Sequence, residues 1–159
     1  MENTTQTILD LIPGEQAPRR RKLLPWWIKT FIWIFMVLGG IAVLIIPYGF
    51  TGKPIQLAIY GIETYVVFSA TGFVLLAVFL LKGLSAYALW TEKDAAIILA
   101  ILDGSLGLLI CLFLMIGYPF IDHIAGVKGG FRFEIILLIP YLLKLITIKS
   151  AWDKNARPA

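Results

Sequence analysis

The chain has 159 residues, 59% hydrophobic and 15% charged, with a formal net charge of +4 and a mean hydropathy of +0.85. A soluble domain carries about 25% charged and roughly 45–50% apolar residues, so the composition excludes an ordinary soluble domain and indicates an integral membrane protein. The positive balance does not point to nucleic acid, because most basic residues flank apolar runs, where they act as orientation signals.

Residues 1–25 read as a polar cytoplasmic tail. Thr7 to Ile12 is a candidate helical turn, ended by Pro13-Gly14. Arg19-Arg20-Arg21-Lys22 reads as a positive-inside determinant, with an anionic-lipid contact as its alternative. The acids Glu2, Asp10 and Glu15, and a first apolar run that starts late and is long, argue against a cleaved leader.

The predicted transmembrane domain covers residues 26–152 and holds four spans. The first covers about 26–46, with Trp26 and Trp27 at headgroup depth and Gly39-Gly40 permitting close helix approach. In the connection that follows, Ile55 to Tyr60 is too short to cross and is expected to lie along the interface. The second span covers about 64–90 and is long enough to require tilt. Thr91-Glu92-Lys93-Asp94 has the spacing of a capping box. Thr91 is expected to accept from the Asp94 backbone N–H, and the Asp94 side chain to reach back. The third span, about 92–117, starts there at once. After an outer connection at 119–133, the fourth span covers about 134–150, with Trp152 as its inner anchor and a short tail at 153–159.

Orientation follows from the flanking charges. Arg19, Arg20, Arg21, Lys22, Lys29, Lys93, Lys149, Lys154 and Arg157 lie on one side, against Lys53, Lys128 and Arg132 on the other. The asymmetry places both termini in the cytoplasm.

Asp103 lies inside the third span, where an ionised carboxylate needs a partner or a task. Lys82 lies eight residues before Trp90, and Asp103 eight residues after Ala95. In an antiparallel helical hairpin both sit about 12 Å from the turn, so they face each other at one depth. Lys144, eight residues before Trp152, is expected at the same depth. Pro140, one turn earlier, leaves the Ile136 carbonyl without its helical donor. The predicted intramembrane cluster is therefore Lys82–Asp103–Lys144. It either holds the helices in register or couples to a proton or solute. Asp103, Gly107 and Cys111 share one stripe expected to face the bundle.

Other chemistry is sparse. Cys111 is the sole cysteine and reads as a small buried hydrophobe. Glu63 and Glu134 read as charges complementing helix N-termini. With Asp122 and His123 they make at most a weak metal or proton site, because the acid beside His123 is adjacent and not at ligand spacing, so no metal and no cofactor is expected. No hydrolase, zinc-protease or phosphate-loop signature is present, and no enzymatic activity is expected.

The stretch from Leu81-Lys82-Gly83-Leu84-Ser85 through Trp90-Thr91-Glu92-Lys93-Asp94 to Ala96, followed by Ile101-Leu102-Asp103-Gly104, resembles a pattern in small four-span bacterial integral membrane proteins. The resemblance covers the central hairpin. It implies a four-helix bundle and carries over no activity or site residue. The chain does not resemble the small four-span drug exporters, because its first span has no acid.

The expectation is an all-α bundle of four transmembrane helices, both termini cytoplasmic, in a bacterial inner membrane. The expected role is accessory or assembly, with the lipid bilayer, a membrane-protein partner or a second copy as contacts. The alternative is a small transporter or channel component using Asp103.

Overall fold

The structure, a computed structural model, describes residues 20–121 and 132–154. The predicted turn at Thr7 to Ile12, Arg19, the acid Asp122, His123, Lys128 and the tail beyond Lys154 lie outside these residues. Four helices form the body: α1 (Trp26–Gly49), α2 (Ala70–Trp90), α3 (Ala96–Ile121) and α4 (Glu134–Lys154). Each is long and apolar enough to cross a membrane. At 21 to 26 residues they measure about 32–39 Å, against roughly 30 Å of hydrocarbon.

The helices pack as a bundle around one shared core, with α1 closest to α2, α2 to α3 and α3 to α4. The tightest contact joins α1 and α2 at Gly39 and Gly83. A Cβ added to Gly83 would lie 2.7 Å from the Gly39 Cα, so the two backbones touch. The backbones of α1 and α4 stay further apart, and side chains fill the seam between them. Aromatic rings bridge their seam, with Phe31 and Phe35 each 6.3 Å from Tyr141.

The segment after α1 forms a short hairpin. Leu57–Ile59 (β1) pairs antiparallel with Ile62–Thr64 (β2). The turn residues Tyr60 and Gly61 both have positive φ, 54° and 86°, as a two-residue type I′ hairpin requires. This pairing satisfies backbone groups that a flat apolar strand would leave open. It also delays α2, which starts at Ala70 rather than Thr64. Ser69 caps that start by accepting from the Gly72 N–H at 3.0 Å.

The expected capping box at Thr91 and Asp94 does not form. The Thr91 hydroxyl donates backwards to the Tyr87 carbonyl at 2.8 Å, and Thr91 ends α2. The Lys93 N–H bonds to the Ala88 carbonyl and the Glu92 N–H to the Leu89 carbonyl, the Schellman pattern. Its left-handed position falls on Glu92, φ 58°, where glycine is usual. The turn thus spends its residues closing α2, and α3 starts only at Ala96. The Asp94 carboxylate instead pairs with Arg20 at 2.7 Å.

That pairing belongs to a clasp at the α2–α3 end. Arg20 and Arg21 lie on one turn of 3₁₀ helix, Arg20–Leu23. Arg20 donates to the Glu92 carbonyl at 2.8 Å, and Arg21 to the Glu92 carboxylate at 2.9 Å. The guanidiniums lie over Trp152 and Trp90, 5.5 and 4.5 Å from the ring centroids. Trp152 donates to the Lys93 carbonyl at 3.2 Å. The strained Glu92 therefore presents both its carbonyl and its carboxylate to the arginines, which a glycine could only half replace.

Candidate functional site

Lys82 lies on the buried face of α2 with Leu75, Val78, Phe79, Ala86 and Leu89. Asp103 lies on the buried face of α3 with Ala96, Ala100, Gly107 and Cys111. The ammonium donates to both carboxylate oxygens, at 3.1 and 3.2 Å. The two residues are 2% and 1% exposed, so each charge meets the other before it meets solvent or lipid. A buried pair with well-formed hydrogen bonds offsets much of its desolvation cost and can specify which faces meet.

The ammonium also lies over two rings, Phe35 of α1 at 4.7 Å and Tyr60 of the hairpin at 5.0 Å. Cation–π contact in a dry site contributes about 2 kcal/mol. Phe35 brings α1 into the site. Tyr60 brings in the hairpin, its ring turned into the bundle and 5% exposed. Gly107 makes room for it, since a Cβ there would lie 2.7 Å from the Tyr60 Cζ. Burial pushes the Tyr60 phenol pKa up, and the nearby Asp103 carboxylate adds to the rise.

Lys144 does not join them. It is exposed on α4, whose buried stripe is Leu138, Tyr141, Leu142, Leu145, Ile148 and Trp152. At 100° per residue, Lys144 is turned about 90° from the middle of that stripe. Equal depth set its height, not its direction. From α4, Leu142 and Tyr141 instead pack against Gly104, the residue next to Asp103. Gly104 admits them, a Cβ there falling 2.8 Å from Leu142 Cδ2.

A cavity of about 170 Å³ lies beside the pair. Phe31, Phe35 and Leu38 line it from α1, and Ile59 and Tyr60 from the hairpin. Lys82 lines it from α2, and Glu134, Leu137, Leu138 and Tyr141 from α4. It sits at the seam between α1 and α4, and Leu137, 53% exposed, puts its edge on the outer surface of the bundle.

Spacing singles out neither Tyr60 nor Phe35 as a site residue, and Glu134 enters only with Glu63, Asp122 and His123 as a weak outer metal or proton site, not beside Lys82. Gly61, between the apolar stretch Leu57–Ile59 and the mixed stretch Ile62–Thr64, was the available hairpin signal. No local pattern marks which ring turns inward. The clasp of Arg20 on Asp94 likewise joins residues far apart in the chain, beyond any periodic signal.

No family model matches the chain, and no curated protein or solved structure matches it either.

Proposed function

We propose that the protein is a non-enzymatic, multi-pass membrane protein of accessory or assembly role, seated in a bacterial inner membrane with both termini cytoplasmic. The observation that carries the role is the self-neutralised Lys82–Asp103 pair, closed over by Phe35 and Tyr60. Such a pair selects one packing of α1, α2, α3 and the hairpin without needing a substrate. The outward faces are rich in large apolar side chains such as Leu44, Phe113 and Ile116. A partner protein or a second copy would meet the chain within the bilayer.

The orientation rests on charge. The clasp end carries Arg20, Arg21, Lys22, Lys93, Lys149 and Lys154, against Lys53 and Arg132 towards the hairpin end. In a Cys111→Ala background, Lys128→Cys should react with an impermeant maleimide only from outside the cell. Labelling only in inverted vesicles would reverse the topology.

A transport or channel role using Asp103 is the second reading, favoured by the cavity that reaches Lys82. Sealed vesicles with an entrapped pH dye separate the two. The packing role predicts no proton leak above that of protein-free vesicles. A leak abolished by joint Lys82→Met and Asp103→Leu replacement would favour the coupling role instead.

A further inference from the structure

We propose that the cavity between α1, the hairpin, α2 and α4 binds one uncharged, carbonyl-bearing lipid headgroup, admitted from the bilayer through the α1–α4 seam. This goes beyond the accessory role and does not depend on it, because the Lys82–Asp103 pair holds the helices whether or not the cavity is filled.

Size comes first. At about 170 Å³, the cavity slightly exceeds an apolar cavity of roughly 150 Å³ that takes up benzene. It therefore accepts one ring or one ester group, and the attached tail must remain in the seam. The walls are apolar and aromatic apart from a few polar groups, the pattern of a small-molecule site.

The polar groups choose the headgroup. An ammonium has three N–H donors. Two serve the Asp103 oxygens, and the rings of Phe35 and Tyr60 lie nearby. Ring faces are weaker partners than a carbonyl oxygen, so the third donor favours an acceptor that enters the cavity. The charge balance limits what that acceptor carries. Lys82 is already matched by Asp103, and Glu134 on the cavity wall adds a further negative charge. Arg132, whose guanidinium packs against Gly61 of the hairpin, offsets Glu134, so an anionic headgroup would lose its hydration with no net positive charge to meet it. A lipophilic cation would have to displace Lys82 from the two rings it already covers. A neutral carbonyl meets neither obstacle. The tail requires a lateral opening, and the seam at Leu137 supplies one.

Two sources offer this chemistry: the ester of a glycerolipid and the ring carbonyl of a lipid-soluble quinone. Equilibrium dialysis of the full chain in maltoside micelles tests the idea with five probes. These are a decyl-substituted benzoquinone, dioctanoylglycerol, its diether analogue, laurate and tetraphenylphosphonium. The quinone or the diester should bind saturably, one per chain, and whichever does identifies the source. The diether, which lacks the carbonyl, should bind at least about tenfold more weakly, the usual consequence of losing a hydrogen bond to a charged group. Laurate and the phosphonium should also bind more weakly. Leu137→Trp, which adds bulk at the rim, should weaken carbonyl-probe binding about tenfold or more with helicity and melting unchanged. If that variant loses helicity, Leu38→Phe blocks the opposite wall and must give the same loss. Equal binding of the diether, tighter binding of either ion, unchanged binding in the folded blocked variant, or no saturable binding of either carbonyl probe would overturn the proposal.

Discussion

Asp103→Leu alone should destabilise the detergent-solubilised protein by about 3–5 kcal/mol, while joint Lys82→Met and Asp103→Leu replacement should cost little or even stabilise. The asymmetry follows from burial. Lys82 is 2% exposed, and its carboxylate partners are the two Asp103 oxygens. With Asp103 removed, the ammonium keeps only the rings of Phe35 and Tyr60, which cannot replace a counter-charge. With both removed, Met keeps the straight stem and the apolar volume while no charge remains to be solvated. Unfolding in mixed micelles, followed by circular dichroism, gives all four corners of the double-mutant cycle. The coupling between the two sites should be large, as expected for residues in direct contact. A double variant as unstable as Asp103→Leu would mean that the charges do more than cancel, and would count against a packing role.

Gly83→Val should be strongly damaging at the α1–α2 contact. Even one carbon at Gly83 would lie 2.7 Å from the Gly39 Cα, and that neighbour is backbone, which cannot rotate away. The two helices must move apart and lose contacts along their length. Overpacking of this kind costs about 1–3 kcal/mol, and the rigidity of both partners argues for the upper end. Gly40→Val is the matched control, since a Cβ at Gly40 meets nothing within 4 Å. It should leave stability near the wild-type value. The same micelle unfolding assay reads both variants. Equal losses at positions 40 and 83 would assign the effect to helix propensity rather than to helix contact.

The two experiments probe features that differ in how far the chain alone displays them. Gly39 and Gly83 each stand out within an apolar run, but nothing local says that they meet each other. The Lys82–Asp103 pair is different. Its two members sit at equal distances from a tight turn, and an antiparallel hairpin then fixes their shared depth. The pairing survives even though the turn closes as a Schellman motif instead of a capping box, because α2 still ends at Trp90 and only a few residues separate it from α3.

What the amino-acid sequence by itself determined is therefore the set of properties that depend on composition and distance along the chain. Four helices long enough to cross a bilayer follow from apolar run length, and the depth of Lys82 and Asp103 from counting residues. Tertiary structure decided direction and closure. It turned Lys144 away from the bundle, folded Leu57–Thr64 into a hairpin that drives Tyr60 inward, and drew Arg20 across to Asp94. Depth is set by a one-dimensional rise of about 1.5 Å per residue. The direction of a side chain is set by which helix packs beside it, and that depends on every neighbour at once.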